Sequence, residues 1–291
     1  DVYKRQPYVH LHHGRTFVIS FAGEVVADRT LLNHLVMDVS LIASMGMRVV
    51  LVHGSRPQIE ELMSLRKLEG QFYKGVRITG PQELECVKEA CGETRFDIEA
   101  AFSQGLPNTP MQHSRIKVVS GNFVTARPMG IIDGVDYLHT GVVRKVDAES
   151  IQDLLSRGNI VLVSPTGFSP TGEAFNLTTE DVATAIAVAI HADKLILSVG
   201  VDGVRIQGEK QQDLTAQQAQ ALIQSKQVDD EDVYNLGYAL RAIKGGVDRV
   251  HIVPYAMDGG ILTELFTHDG VGTMISTENM ESLREATIDD V

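Results

Sequence analysis

The chain has 291 residues, of which 43% are hydrophobic and 22% charged, and its formal net charge is -12. These values indicate a soluble globular protein with a sizeable core, and no apolar run approaches the roughly 18 residues that cross a bilayer. The acidic balance, without a block of Lys and Arg, argues against nucleic acid or an anionic membrane as a partner.

Both ends of the chain look foreign to a folded domain. Residues 1–6 (DVYKRQ) resemble the translation of a transposon end used in preparing DNA libraries, and we treat them as a sequencing-adapter artefact. Residues 284–291 end on a Thr-x-x-Asp pattern that is typical of a helix start, so we expect a truncation there. No signal peptide is recognisable, and the two cysteines, Cys86 and Cys91, suit free thiols in a reduced cytoplasm.

Strand-like and helix-like stretches alternate along the first half of the chain. In chain order they are a strand at 16–20, a helix at 31–45, a strand at 48–53, helices at 57–65 and 83–102, and a strand at 116–120. The β-rich segments 123–127 and 137–146 predict antiparallel ribbons over the sheet edge.

The second half restarts the same alternation. In chain order it has a helix at 148–156, a strand at 160–164, a helix at 180–191, a strand at 194–198, helices at 214–225 and 232–245, a strand at 249–254, a helix at 260–267 and a strand at 272–276. Continuous Val/Ile/Leu runs between helices predict an α/β unit in which helices cover both faces of a mostly parallel central sheet, as three layers.

Glycine-bearing turns follow three of the predicted strands. They are Ala22-Gly23, Gly54-Ser55 and Gly121. Because open α/β sheets bind ligands beyond the carboxyl ends of their strands, and a helix N-terminus there favours anions, these turns are candidate ligand contacts. Any α/β protein also needs glycine at such turns, and spacing alone leaves the two interpretations equal.

Two further segments have both a ligand interpretation and a structural one. At 172–181, Asn176 and Thr179 can cap a helix whose dipole Glu180 complements, and capping explains this pattern without a ligand. At 264–273, Glu264 offers a carboxylate to a guanidinium, and the glycines of the following turn leave carbonyls open. A helix end followed by a turn, with Glu264 in solvent, explains the second pattern equally well.

No metal or catalytic motif stands out. His10, His12 and His13 have no Cys or acidic partners at ligand spacing, so we predict no metal site. Neither G-x-S-x-G nor G-x-x-x-x-G-K-[ST] occurs. The residues alone predict an α/β protein with a small-molecule crevice.

Six motifs occur in the order found in the acetylglutamate-kinase-like family. They lie at 18–24 (VISFAGE), 53–59 (HGSRPQI), 119–123 (VSGNF), 172–181, 243–247 (IKGGV) and 264–273. The resemblance covers nearly everything from Tyr8 onward and implies the amino acid kinase (carbamate kinase-like) fold. Further segments are similar to the kinase-like N-terminal domain of bacterial N-acetylglutamate synthases; they lie at 56–58, 97–101, 108–110, 134–137 and 284–287.

The sequence departs from the pattern of the family's working kinases. The resemblance places the kinase crevice at Ser20, Ala22, Gly23, Gly54, Ser55, Arg56, Asn176, Glu180 and Asn235. Two lysines of the pattern are replaced by Ser20 and Asn235, Glu180 replaces the usual Asp, and Arg56 is expected to block the second glycine loop. Phosphoryl transfer depends on cationic groups, so we expect a vestigial crevice without kinase activity.

The resemblance also implies a binding site for L-arginine. It implies contacts with L-arginine from Tyr8, His251, Glu264 and the backbone of Gly270 and Gly272, although His251 also suits a buried histidine with satisfied hydrogen bonds. Residues 7–280 would form an arginine-sensing regulatory domain, and 281–291 a linker and the start of a truncated acetyltransferase domain. Acetyl-CoA would be a substrate of that missing domain, with no cofactor in this chain, and a homo-oligomer is expected. The alternatives are a divergent acetylglutamate kinase using ATP and N-acetylglutamate, or a free-standing arginine-binding protein.

Overall fold

The computed structural model describes residues 13–104, 116–267 and 270–277. The strands in these ranges are β1 Thr16–Phe21, β2 Arg48–His53, β3 Gln71–Tyr73, β4 Val76–Ile78, β5 Val118–Ser120, β6 Val124–Pro128, β7 Ile131–Ile132, β8 Val135–Asp136, β9 Gly141–Val146, β10 Ile160–Val163, β11 Thr166–Phe168, β12 Ala174–Asn176, β13 Lys194–Val199, β14 Arg205–Ile206, β15 Glu209–Lys210, β16 Asp213–Thr215, β17 Arg249–Pro254 and β18 Thr273–Ser276. The helices are α1 Gly23–Ala27, α2 Arg29–Ser44, α3 Arg56–Leu65, α4 Pro81–Ser103, α5 Ala148–Ser156, α6 Thr179–Ala189, α7 Ala216–Ser225, α8 Asp230–Lys244 and α9 Gly260–Phe266.

An eight-stranded sheet forms the centre of the fold. Its order is β16-β18-β17-β13-β1-β2-β10-β5, and its neighbouring strands run parallel except for the antiparallel pair β17 and β18. The strands are Val/Ile/Leu runs because both faces of the sheet are covered, as is usual for parallel sheets. The predicted, mostly parallel sheet is confirmed.

Alternate residues of each central strand enter different cores. On β1, Val18 packs with helices α5, α6, α7 and α8, whereas Phe17 and Ile19 pack with α1, α2, α4 and α9. This alternation follows from the two-residue period of a strand. The three-layer α/β/α arrangement is therefore confirmed.

A smaller core joins α3 to α4 and contains both cysteines. Cys86 and Cys91 are buried there with Ile59 and Met63, and both thiols are free, as predicted. Burial raises the pKa of the Cys91 thiol to about 11, which keeps it protonated at neutral pH.

A second sheet with the order β12-β11-β6-β9 adjoins the main one. Its β6 and β9 pair antiparallel, which confirms the ribbons predicted at 123–127 and 137–146. The prediction that Asn176 and Thr179 cap helix α6 is wrong. Asn176 ends strand β12, and the residue at the N-cap position, Thr178, makes no side-chain capping hydrogen bond.

Candidate functional site

The carboxylate of Glu264 is buried between α9, β17 and the loop before β18. Its Oε1 lies 2.7 Å from His251 Nδ1, and its Oε2 accepts hydrogen bonds from the backbone N–H groups of Val271 and Gly272, at 2.7 and 2.9 Å. Burial raises the pKa of Glu264, but the three donors outweigh burial and hold the pKa down to about 2. The carboxylate is therefore ionised at neutral pH.

His251 lies on β17 and is 2% exposed. Burial lowers its pKa, so the ring is neutral and its single N–H is the Nδ1 donor to Glu264. The other ring nitrogen, Nε2, is then an acceptor, and it has no hydrogen-bond partner within the described ranges. A ligand that donates a hydrogen bond would satisfy it.

Glycines allow the loop before β18 to reach Glu264. Gly270 has a φ of +48°, and a Cβ there would lie 2.7 Å from Glu264 Oε2. A Cβ on Gly272 would lie 2.0 Å from the carbonyl oxygen of Ile252, on the backbone of β17. The loop thus needs glycine at both positions for close approach.

The structure brings together four of the five residues predicted for the arginine site; these are His251, Glu264, Gly270 and Gly272. Tyr8 lies outside the described residues. The alternative that leaves Glu264 in solvent is wrong, because Glu264 is 8% exposed. Of the about four acceptor sites of a carboxylate, three are already used, so one remains for a guanidinium.

Sequence reasoning missed Lys194, a buried cation beside this pair. It begins β13, opposite Arg249 of β17, and is 6% exposed. Burial and the charge of Arg249 lower its pKa to about 8, against the attraction of Glu264. A lysine at the start of a strand usually marks the solvent edge, and the pattern gives no sign that this one is buried.

The glycine turns of the predicted kinase crevice pack against each other. The Gly54 N–H donates to the carbonyl of Phe21 at 2.7 Å, and a Cβ on Gly54 would lie 2.8 Å from the nitrogen of Gly23. Gln58 closes the first turn, because its Nε2 donates to the Gly23 carbonyl at 2.8 Å. Ser20 at the end of β1 is buried, and Ala22 precedes α1.

Two side chains near the second turn already have partners. The Ser55 hydroxyl lies 3.1 Å from His53 Nδ1 and is buried. Arg56, expected to block the loop, points its Nε to Glu60 at 3.0 Å and its guanidinium over the Phe72 ring. The contacts that close the turns therefore come from Gln58 and backbone rather than from Arg56.

The remaining crevice residues lie around the N-terminus of α6. Asn176 Nδ2 donates to the Thr79 hydroxyl at 3.0 Å, and Glu180 accepts from the Tyr234 hydroxyl at 3.2 Å. Burial raises the pKa of Glu180. Asn235 is buried, and its Nδ2 finds no acceptor among the described residues.

Sequence reasoning also missed a charge pair behind this crevice. Asp181 Oδ1 accepts from Arg241 at 2.6 Å, and its Oδ2 accepts from the Val143 N–H at 3.0 Å. Asp181 thus joins α6, α8 and β9, and the Arg241 charge is committed to it. The crevice positions carry neither of the two lysines that the kinase pattern requires.

The described residues contain no group of three or more His, Cys, Asp or Glu that would hold a metal ion. His10 and His12 lie outside them, and His13 Nδ1 lies 3.2 Å from the carbonyl oxygen of Met45. None of the described helices has the length and apolar character that a bilayer crossing requires.

The sequence profile of the amino acid kinase family matches residues 15–254. The chain belongs to this family. A relative from Ralstonia nicotianae named amino-acid acetyltransferase is 55% identical over 286 residues, which are 98% of this chain and 63% of the relative. The chain thus spans less than two thirds of that relative's length.

Solved structures support the amino acid kinase fold. The N-acetylglutamate synthase of Neisseria gonorrhoeae, complexed with coenzyme A and L-arginine, superimposes with a TM-score of 0.89 at 35% identity, over 95% of this chain and 64% of that one. The carbamate kinase of Giardia lamblia bound to AMP-PNP has a TM-score of 0.70 at 14% identity, over 91% of this chain and 99% of that one. The second likeness concerns the fold alone.

Proposed function

We propose that this chain is the arginine-sensing regulatory domain of an N-acetylglutamate synthase. The observation that carries the proposal is the buried, ionised carboxylate of Glu264, held between His251 and the glycine loop. A buried carboxylate with a free acceptor site favours a cation with several N–H donors, and a guanidinium is such a group. The related synthase from Neisseria gonorrhoeae, whose structure contains L-arginine, supports the choice of ligand.

In this proposal the guanidinium of arginine binds where Glu264 and His251 face each other. Glu264 accepts one N–H in its remaining acceptor site, and the ionised carboxylate balances the positive charge. His251 Nε2 accepts a second N–H, which satisfies a buried atom without a partner in the described part of the chain. Carbonyls of the 270–272 loop accept others, and Tyr8 completes the site from the N-terminal segment.

Acetyl transfer would then occur in the part of the relatives that this chain does not cover. Relatives named amino-acid acetyltransferase extend well beyond the matched region. We propose that the whole protein transfers acetyl from acetyl-CoA to L-glutamate, as the first step of arginine biosynthesis, and that arginine inhibits it. The protein would act in the cytoplasm as a homo-oligomer.

The kinase crevice would have no phosphoryl-transfer activity. Ser20 and Asn235 supply no positive charge, and Arg56 and Arg241 are paired with Glu60 and Asp181. A transferred phosphoryl group needs cations and aligned donors around it. Incubation of the chain with ATP and N-acetylglutamate should therefore yield no phosphorylated product, and measurable product would restore the kinase alternative.

Calorimetric titration of the purified chain with L-arginine tests the sensor proposal, with L-lysine as the control ligand. We expect saturable binding of arginine alone. Glu264→Gln should weaken binding by about 2–4 kcal/mol, or roughly 30- to 800-fold, because it leaves a buried cation without its counter-charge. The matched control is Glu61→Gln, at an exposed carboxylate on α3, which should leave the affinity unchanged. Equal affinities of both variants would refute the site.

A further inference from the structure

A cavity of about 240 Å³ opens at the carboxyl ends of β5 and β10, beside helix α4. Its polar walls include Arg95, Asn122 and Ser164, and its apolar walls include Leu162 and Phe168. Three strands separate β10 from β17, which carries His251, so the cavity is distinct from the proposed arginine site. It lies behind the Gly121 turn, which the proposed function leaves without a role.

Arg95 gives the cavity a positive charge that is incompletely paired. Its Nε is buried and has no hydrogen-bond partner in the described ranges. The carboxylate of Glu99, one helical turn away, has its Oε1 at 3.5 Å from that Nε. A guanidinium presents five donors in a planar fork that matches a carboxylate. The cavity can therefore hold an anionic group of that shape.

A chain of buried hydrogen bonds determines whether the Ser164 hydroxyl can donate to a ligand in the cavity or only accept from it. The Ser55 hydroxyl donates to Thr94 Oγ1 at 3.3 Å, so it accepts from His53 Nδ1, 3.1 Å away. Burial lowers the pKa of His53 to about 4, so the ring carries one proton at neutral pH, on Nδ1. His53 Nε2 is then an acceptor for the Ser164 hydroxyl at 2.8 Å. Because the hydroxyl hydrogen is used, Ser164 Oγ can only accept from a ligand.

The cavity thus combines a cation, Arg95, with oxygen atoms that can accept hydrogen bonds from a ligand. Glu99, one helical turn from Arg95, adds a negative charge near the same wall, where its Oε1 also accepts from Ser120 at 3.4 Å. A volume below the roughly 300 Å³ of pockets for drug-sized ligands requires a small occupant. The apolar walls suit a short aliphatic group.

We propose that this cavity is a binding site for a small amino acid in its zwitterionic form. The carboxylate lies on the Arg95 guanidinium, and the ammonium donates to Ser164 Oγ and faces Glu99. The side chain packs against Leu162 and Phe168. The proposal does not depend on the arginine site, since it uses different residues on other strands.

Titration of the whole chain by calorimetry tests this site, with L-alanine as the probe. Propionate and isopropylamine serve as matched half-ligands, because each lacks one of the two charged groups. We expect saturable L-alanine binding that is at least about tenfold tighter than either half-ligand, since each charged group adds a charge-assisted hydrogen bond. Absence of saturable binding, or equal binding of propionate, would overturn the proposal.

Two variants separate the roles of the polar walls. Arg95→Gln should weaken L-alanine and propionate by the same factor, about tenfold or more. Ser164→Ala should weaken L-alanine and leave propionate unchanged, because only the ammonium contacts this hydroxyl. Native unfolding transitions of both variants verify that they fold. Unchanged L-alanine affinity in Arg95→Gln would contradict the assignment, whatever Ser164→Ala does.

Discussion

His251 donates a hydrogen bond from Nδ1 to Glu264 Oε1 across 2.7 Å, and neither residue is more than 8% exposed. The pair joins strand β17 of the main sheet to the short helix α9. Because the histidine is neutral, the pair has a net charge of -1 in a buried place. Such a charge is stable only with further donors, and the N–H groups of Val271 and Gly272 supply them.

This pair predicts a loss of stability at low pH. The pKa of Glu264 is about 2 in the folded chain, against 4.5 for the free side chain, so the folded carboxylate resists protonation. Its stabilisation is complete above about pH 4.5 and is lost as the pH falls towards 2, by about 3 kcal/mol in total. When urea unfolding is measured between pH 6 and pH 3, the free energy of unfolding of Glu264→Gln should fall less than that of the unchanged chain.

The control for that measurement is again Glu61→Gln, whose exposed carboxylate has no buried partners. Its loss of stability with falling pH should match that of the unchanged chain. His251 contributes in the same direction, since its lowered pKa penalises protonation of the folded state below pH 6.5. If the free energy of unfolding fell by the same amount with falling pH in Glu264→Gln and in the unchanged chain, Glu264 would not have a lowered pKa in the folded state.

The glycine loop gives a second prediction. In Gly272→Ala the added Cβ would lie 2.0 Å from the Ile252 carbonyl oxygen, so the backbone of the loop or of β17 must move. Gly130→Ala is the control for backbone strain without a clash, because Gly130 has a φ of +81° and nothing lies within 4 Å of the added atom. The control should cost only the conformational strain of about 1–2 kcal/mol.

Gly272→Ala should therefore destabilise the chain more than Gly130→Ala, as measured by the free energy of unfolding in urea. It should also weaken L-arginine binding, since the displaced loop withdraws its N–H from Glu264. If Gly272→Ala cost less than the control, the loop would not be packed against β17 as described.

The alternation of strands and helices is predictable from sequence because the buried strands are continuous apolar runs. Strands β2 and β17 and helix α5 have the predicted bounds, 48–53, 249–254 and 148–156. Short strands such as β14 and β16 were missed, because two or three residues are too few to show a hydrophobic period. The three-residue strand β5 is an exception, since it lies within the strand predicted at 116–120. Helix α1 was missed because it has only five residues and begins at Gly23, a pattern that also suits a turn.

The site is less accessible to sequence reasoning. Glu264 and His251 are 13 residues apart on different elements, and only the fold brings them within 2.7 Å. Residue pattern alone left Glu264 equally suited to solvent, and the resemblance to a family assigned both residues to one arginine site without predicting their hydrogen bond to each other. The contacts of Lys194 and Asp181 were not predicted, because both residues have sequence positions that are typical of strand and helix ends.

Lys194 gives the last prediction, which concerns alkaline pH. Its pKa is about 8 in the folded chain and 10.5 for the free side chain, so between these values the unfolded chain binds more protons. Stability from this residue therefore rises with pH across that window, by up to about 3 kcal/mol.

Lys194→Met, which keeps the apolar length, should stabilise the chain at pH 7 and remove the rise. Lys145→Met, at an exposed lysine on β9, is the control and should leave the rise in place. Urea unfolding at pH 7, 8.5 and 10 measures both, and a Lys194→Met chain that is less stable at pH 7 would mean that the ammonium is a net stabilising partner of Glu264.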